Sequence, residues 1–390
     1  MRLVSVALLT SLAALLSTQV AQVRCLDMVI DNDFSSNSVT PLFPALANAD
    51  VSLLAVTSVT GNTWNAQSVA HLRRYLQAAG TANNSDSQRA AQVKAISGAN
   101  RALVRTPDSY EADAALTGRL RFAGAYRPFN ATAEAQGADP SGDLQNNARV
   151  TLQGQERPGP LSGALQESAN LYAPNFLVEK SREARAKNAT FSIAAIGPLT
   201  NLALAQAQDP EFPKGVELWY QGGYLGTGLE AVLSVINSDY YVDLNTAIDP
   251  EAAKAVLRAP YARIVCVADF TSKIIASNDT LSRAAALSDS ASDDQRYLAR
   301  QISDPVEVGL PAWDDIGVAL PIYPDLITKS IKVRLDVDAR AGGPAYGKAF
   351  AWLDDLAPPG LQEVEFPLSI NETRFFEIYV SAAQAFINPK

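Results

Sequence analysis

The sequence predicts an α/β fold, a single large domain with a mostly parallel central sheet flanked by helices. Three observations carry this. Short, nearly continuous apolar runs recur along the chain, as buried parallel strands do. Each run ends in a polar or glycine turn. Helical segments follow several of those turns, so the order strand, turn, helix repeats. In such folds ligands bind beyond the carboxyl ends of the strands, so polar residues there are the first candidates for function.

The elements read in order. Leu26 to Ile30 is a strand that delivers Asp31, Asn32 and Asp33 at its end. Val51 to Val59 (VSLLAVTSV) is a second, followed by Gly61 and Asn62. Trp64 to Ala79 has helical spacing, with Val69, Leu72, Tyr75 and Leu76 on one face. His71 lies within it and reads as a surface or core-edge residue. Residues 81 to 160 are polar and broken by Gly, Pro and Asn, which suggests an extended surface region with a lid or decorated loop. Thr190 to Ile196 is a strand stopped by Gly197 and Pro198. Leu199 to Ala207 resumes as a helix, with a start expected to be capped by local polar groups. Val216 to Tyr220 is a strand before Gly222 and Gly223. Pro250 to Leu257 is a helix with proline in its first turn. Arg263 to Val267 and Ser330 to Val337 are strands. Val318 to Leu326 is helix-like with a break at Pro321, and a last helix lies near Phe375 to Phe386.

Composition narrows the function. The 390 residues are 47% hydrophobic, which rules out wholesale disorder. The net charge is −9, from 32 basic and 41 acidic residues, which disfavours nucleic-acid polymers as partners. One histidine, His71, excludes a His-rich zinc site, and any Ser-His-Asp triad would have to use it. Two cysteines, Cys25 and Cys266, build no disulfide framework. They read as buried thiols, with a single mutual bond as the alternative. Arg2, the apolar run Leu3 to Leu16 and the small or polar residues Ser17 to Ala21 read as a secretory signal peptide cleaved near Ala21. That leaves residues 22–390 as one secreted α/β domain, with no membrane attachment after cleavage. Sequons at Asn83, Asn130, Asn188, Asn278 and Asn371 fit a secreted glycoprotein.

Acidic residues at strand ends suggest the chemistry. Asp31 and Asp33 alternate, so both face one side of an extended chain. Asp314 follows Trp313 and precedes a helical segment. Carboxylates drawn together repel unless a cation or shared protons hold them, and a hard ion such as Ca²⁺ suits oxygen ligands. Plain helix capping is the competing use of such residues.

Seven blocks in order resemble the inosine–uridine-preferring nucleoside hydrolase superfamily. LDMVIDNDFSSNS (Leu26 to Ser38) resembles its strand and D-x-D-P-G-x-D-D motif. Leu53 to Thr57 with Gly61-Asn62 resembles LLAVTTVxGN. Ala194 to Ala203 resembles xxxGPLTNxA, and Gly222-Gly223 its MGG turn. Leu244 to Ala253 resembles EFNxxxDPEAA, Trp313-Asp314 through Asp325 resembles HDxxAxxxxxxPD, and Gly343 to Gly347 resembles a late block. DND followed by an aromatic, and Trp before the late Asp, are most similar to the secreted fungal-type branch.

The resemblance implies a hydrolase that cleaves the N-glycosidic bond of ribonucleosides to ribose and free base, through a calcium-activated water, in purine or pyrimidine salvage. It implies Asp33 as base and calcium ligand, Asp31 close to the metal, Asp314 as a further ligand and Ile196 as donor of a backbone carbonyl. It places Asn62 beside the base and Asn245 on the ribose. It also suggests a homo-oligomer. Four positions depart from the pattern. Asn37 and Ser38 replace the final two aspartates, so a ribose-gripping charge and a bidentate carboxylate are gone. Asp243 stands near the place of a substrate-binding glutamate. Trp313 replaces a histidine and offers a flat face for stacking on the base, because indole cannot act as a general acid. These departures raise the alternative of a catalytically weak nucleoside- or sugar-binding protein on the same fold.

Overall fold

The computed structural model describes residues 25–34, 40–118, 120, 123–126, 163–226, 243–303 and 309–389. Nine strands form one sheet in the order β3-β2-β1-β4-β5-β6-β9-β7-β8. They are β1 (Leu26–Asn32), β2 (Val51–Ser58), β3 (Ala95–Ile96), β4 (Phe191–Ala195), β5 (Val216–Tyr220), β6 (Arg263–Cys266), β7 (Ile327–Val337), β8 (Ala349–Trp352) and β9 (Glu363–Ile370). Neighbours from β3 across to β9 run parallel. β7 is antiparallel to both β8 and β9. The fold expectation holds.

Helices cover both faces. In chain order they are α1 (Leu42–Ala47), α2 (Asn65–Ala79), α3 (Ser85–Ala90), α4 (Pro107–Thr117), α5 (Gly163–Ser168), α6 (Ala173–Ala186), α7 (Thr200–Gln208), α8 (Leu244–Ile248), α9 (Pro250–Leu257), α10 (Asn278–Ala284), α11 (Asp293–Ser303), α12 (Trp313–Ile322) and α13 (Glu372–Ile387). None is long and apolar enough to cross a bilayer among the described residues.

Strand side chains alternate between two cores, as the pleat requires. Val29, Ile193, Leu218 and Tyr220 pack with Leu177 of α6, Leu202 of α7 and Val256 of α9. Met28, Ile30, Val56 and Ala194 point the other way, to Phe43 of α1, Leu72 and Leu76 of α2 and Phe386 of α13. Each such aliphatic side chain contributes about 1.5–3 kcal/mol by leaving water. A third cluster joins Trp219, Val265, Ile316, Leu320 and Phe375.

Several local expectations are corrected. The stretch from 81 is not uniformly irregular: α3, β3 and α4 lie within it, and β3 extends the sheet as a parallel edge. Residues 127–160 of that stretch lie outside the described residues. The helix placed at Val318 starts at Trp313 and carries Pro321 in its last turn, where the missing N–H breaks only one bond. A separate short 3₁₀ turn, Pro324–Leu326, follows. No side chain caps the start of α7, where Leu199 occupies the cap position. His71 is fully buried rather than at an edge. Both cysteines are free, but only Cys266 is buried; Cys25 is exposed.

Candidate functional site

The parallel strands β1, β2, β4 and β5 end along one edge, and the candidate site is built there. Asp31 is the sixth residue of β1 and fully buried. Its Oδ1 accepts hydrogen bonds from Thr57 Oγ1 of β2 at 2.5 Å and Asn201 Nδ2 of α7 at 2.7 Å. Its Oδ2 is buried without a hydrogen-bond partner. Burial pushes the carboxyl up to about 7, against the pull of those two donors.

Asp33 follows the strand. Its Oδ2 accepts the backbone N–H of Asn62 at 2.6 Å, and its own N–H donates to Asn32 Oδ1 at 2.7 Å. Two glycines let the chain close around it. A methyl on Gly61 would stand 1.9 Å from Asp33 Oδ2. A methyl on Gly197 would stand 3.1 Å from Asp33 Oδ1 and 2.9 Å from its N. The Gly61-Asn62 and Gly197-Pro198 turns therefore have a steric reason to carry glycine. Burial raises Asp33 to about 7; the two amide bonds lower it and the charge of Asp31 raises it further.

Ile196 is buried and donates its N–H to Asp31 O at 2.8 Å, fixing the end of β4 beside β1. Gly317 of α12 packs against it, since a methyl there would meet Ile196 Cγ2 at 2.6 Å. Asp314 lies one turn earlier, on the same side of that helix. Trp313 opens α12, half-buried against the first core, and its indole N–H donates to Ser272 Oγ at 3.3 Å. Asn245 is buried on α8, and its Nδ2 donates to both O and Oε1 of Gln221 at 2.9 and 2.8 Å.

Asp243, expected to bind substrate, joins the turn after β5 to α8. Its Oδ1 caps α8 through Thr246 N at 2.7 Å. Its Oδ2 holds the amides of Gly223 and Tyr224 at 2.9 and 3.1 Å. Both oxygens thus accept from backbone donors. Tyr224 is buried and bonded through its hydroxyl to Thr271 and Ser272. Asn37, Ser38 and Asn130 lie outside the described residues.

The structure thus brings Asp31, Asp33, Asn62, Ile196 and Gly197 together. Among the described residues no group of three or more histidine, cysteine, aspartate or glutamate side chains forms a metal cluster. Sequence reasoning gave no role to Thr57 or Asn201, which hold Asp31. Asn201 was legible only as part of the GPLTN block, as the second residue of a helix that starts at a strand end.

An α/β sheet with buried carboxylates at its carboxyl edge defines a ligand-binding site of the parallel-sheet class. The chain belongs to the inosine-uridine preferring nucleoside hydrolase family, whose sequence profile matches residues 28–377. It is similar to the uncharacterized protein C800.11 of Schizosaccharomyces pombe, with 28% identity over 43% of this chain and 45% of that one. It is also similar to the non-specific ribonucleoside hydrolase RihC of Escherichia coli, with 31% identity over 40% of this chain and 48% of that one. The chain thus spans about half the length of these curated relatives. A plant nucleoside hydrolase, PpNRh1, shares the fold at a TM-score of 0.64 and 18% identity, over 93% of this chain and 99% of that one.

The family is metal-dependent. Two adjacent buried carboxylates, one oxygen of which has no partner, fit a hard cation. The same burial that raises both groups to about 7 is what a nearby divalent charge would offset.

Proposed function

We propose that the protein is a secreted, glycosylated hydrolase that cleaves the N-glycosidic bond of ribonucleosides, releasing ribose and free base. Family membership supports the reaction class. The observation that carries it to this chain is Asp33, gripped by the Asn62 amide beside the half-unpaired Asp31. Calcium held by Asp31 and Asp33, with Asp314 and the Ile196 carbonyl as further donors, would supply the charge that orients and acidifies the attacking water.

Asp33 takes the proton as the water oxygen bonds to the anomeric carbon and the bond from that carbon to the base nitrogen breaks. The Asn62 N–H holds the receiving carboxylate in place. Asn245 has its amide nitrogen committed to Gln221, which leaves Oδ1 to accept from a ribose hydroxyl. Trp313 would stack its ring on the departing base, in place of a general acid. Exposed sequon asparagines Asn83, Asn188, Asn278 and Asn371 suit glycosylation, and with the leader-like first 21 residues they support export and nucleoside salvage outside the cell.

Asn37 and Ser38 in place of two motif aspartates, and Trp313 in place of a histidine, favour one second reading, a nucleoside- or sugar-binding protein of weak activity. Incubation of purified protein with inosine, uridine, adenosine and cytidine, followed by chromatography for free base with calcium and then with chelator, separates the two. Release that chelator suppresses supports the hydrolase. A folded protein that binds nucleoside and releases no base is the binding protein.

A further inference from the structure

A cavity of about 410 Å³ lies between the β2–α2 turn, the segment after β3 and the end of α8. None of Asp31, Asp33, Asn62, Asn245 or Trp313 lines it. Its walls include Trp64, Asn100, Arg101, Arg105, Tyr126 and Ile248. It is separate from the site above but backs onto it. Ala125 N donates to Gly61 O at 3.0 Å, and Gly124 N donates to Asn62 O at 3.1 Å. Arg105 and Tyr126 hold the carbonyls of Ala247 and Ile248, just past Asn245.

Arg105 is the informative residue. Its side chain is 7% exposed. One end of its guanidinium is anchored, through Nη1 on Ala247 O and Nη2 on Asp113 Oδ2 at 2.9 Å. Its Nε is buried with no hydrogen-bond partner. The guanidinium also lies 5.8 Å from the Tyr126 ring centroid and 4.6 Å from that of Tyr346, so its positive charge is held fixed in the cavity wall. Arg101 at the rim is exposed and has no ion pair among the described residues.

The other polar groups are mostly committed within the protein, with Thr60 Oγ1 donating to Thr63 O at 3.3 Å. Asn65 has its oxygen taken by Ser58 Oγ and its nitrogen spent on Ser97, Gly98 and Asn100. Asn100 has its Oδ1 occupied by Asn65, which turns its Nδ2 outward as a donor. Trp64 and Tyr126 make aromatic walls, and Ala66, Pro107 and Ile248 complete an apolar lining. The complement of such a chamber is a flat apolar body that carries an oxyanion.

We propose that this cavity is a second binding site, for a small organic carboxylate borne on a planar ring. The carboxylate pairs with Arg101 beside the anchored Arg105 guanidinium, and the ring lies against Trp64 and Tyr126. Nothing in this site needs the hydrolytic reaction.

The test is calorimetry of the purified chain with 2-naphthoate, and with 2-naphthamide as the neutral match. Saturable naphthoate binding is expected, with the amide at least about fivefold weaker because a charge-assisted bond is lost. Excess inosine should leave naphthoate affinity unchanged. Arg101→Ala should weaken binding at least about fivefold, and Ala66→Trp should abolish it by filling the cavity. Both positions are exposed, and circular dichroism checks that each variant is folded. No saturable binding, equal affinity for acid and amide, displacement by inosine, or indifference to both variants would each overturn the proposal. Because binding is read directly, its failure is distinct from a failure of nucleoside turnover.

Discussion

Asp33 owes its position to residues that contribute no side chain. Gly61 leaves room for its carboxylate, and the next amide, Asn62, grips it. Gly61→Ala should therefore cost nearly as much as losing the carboxylate itself, since the new methyl falls on Asp33 Oδ2. Asp33→Asn should lower kcat by about 10²–10⁴ with the fold intact, the usual worth of a general base. Turnover retained in that variant, measured by base release, would remove Asp33 from the role. Trp313→Ala should reduce kcat more than calcium affinity; equal losses in a calorimetric titration and the kinetic assay would make Trp313 a packing residue. At this scale Asp31, Asp33 and Asn62 were legible because motif and strand end coincide. Thr57 and Asn201 were not, because a threonine in a strand or an asparagine in a helix has many uses until its partner is seen.

The helices and turns explain what the carboxylates away from the site do. Asp243 joins the Gly222-Gly223 turn to α8 through three backbone amides. Asp243→Ala should destabilise the protein by about 1–3 kcal/mol in denaturant titration, with kcat of the remaining folded enzyme little changed. A raised KM at unaltered stability would instead restore the substrate-binding role expected from its sequence position. Asp249 caps α9 through Ala252 N and also accepts from Thr200 Oγ1 and Leu103 N. Burial raises its carboxyl to about 6. The native state then holds a proton that the unfolded chain has released, so this group's contribution to stability falls as pH rises from about 4 to about 6. Over that window the loss is about 2 kcal/mol. Asp249→Asn should flatten that part of the stability profile, and an unchanged slope in melts across the range would refute the assignment. Strands and α9 were readable because continuous apolar runs and a first-turn proline are local signals. The two-residue β3 and the true start of α12 were not, because pairing with β2 makes the first and packing against Ile196 sets the second.

For the molecule as a whole, the cation question becomes one of stability. If calcium binds the folded site and not the unfolded chain, saturation at a hundredfold its dissociation constant adds about 2.7 kcal/mol. Melting should then shift upward by a few degrees with calcium and back with chelator. No shift in a folded preparation would separate this chain from a metal-dependent mechanism. The two-faced sheet was foreseeable from the apolar runs. Its antiparallel end was not, since β7 finds β9 and β8 through pairings no local pattern announces.

α13 adds one consequence for how the protein is made. Its Phe386 ring lies 5.9 Å from that of Phe43 on α1, and its Ala385 carbonyl accepts from Asn84 Nδ2 at 2.6 Å. One side of the first strand's core is thus roofed by the last-synthesised of the described helices. While the ribosome works, that apolar surface stands uncovered for hundreds of residues of elongation. The nascent chain is a natural client for holding chaperones, and its tolerance of truncation should be set at Glu372, where the roof begins.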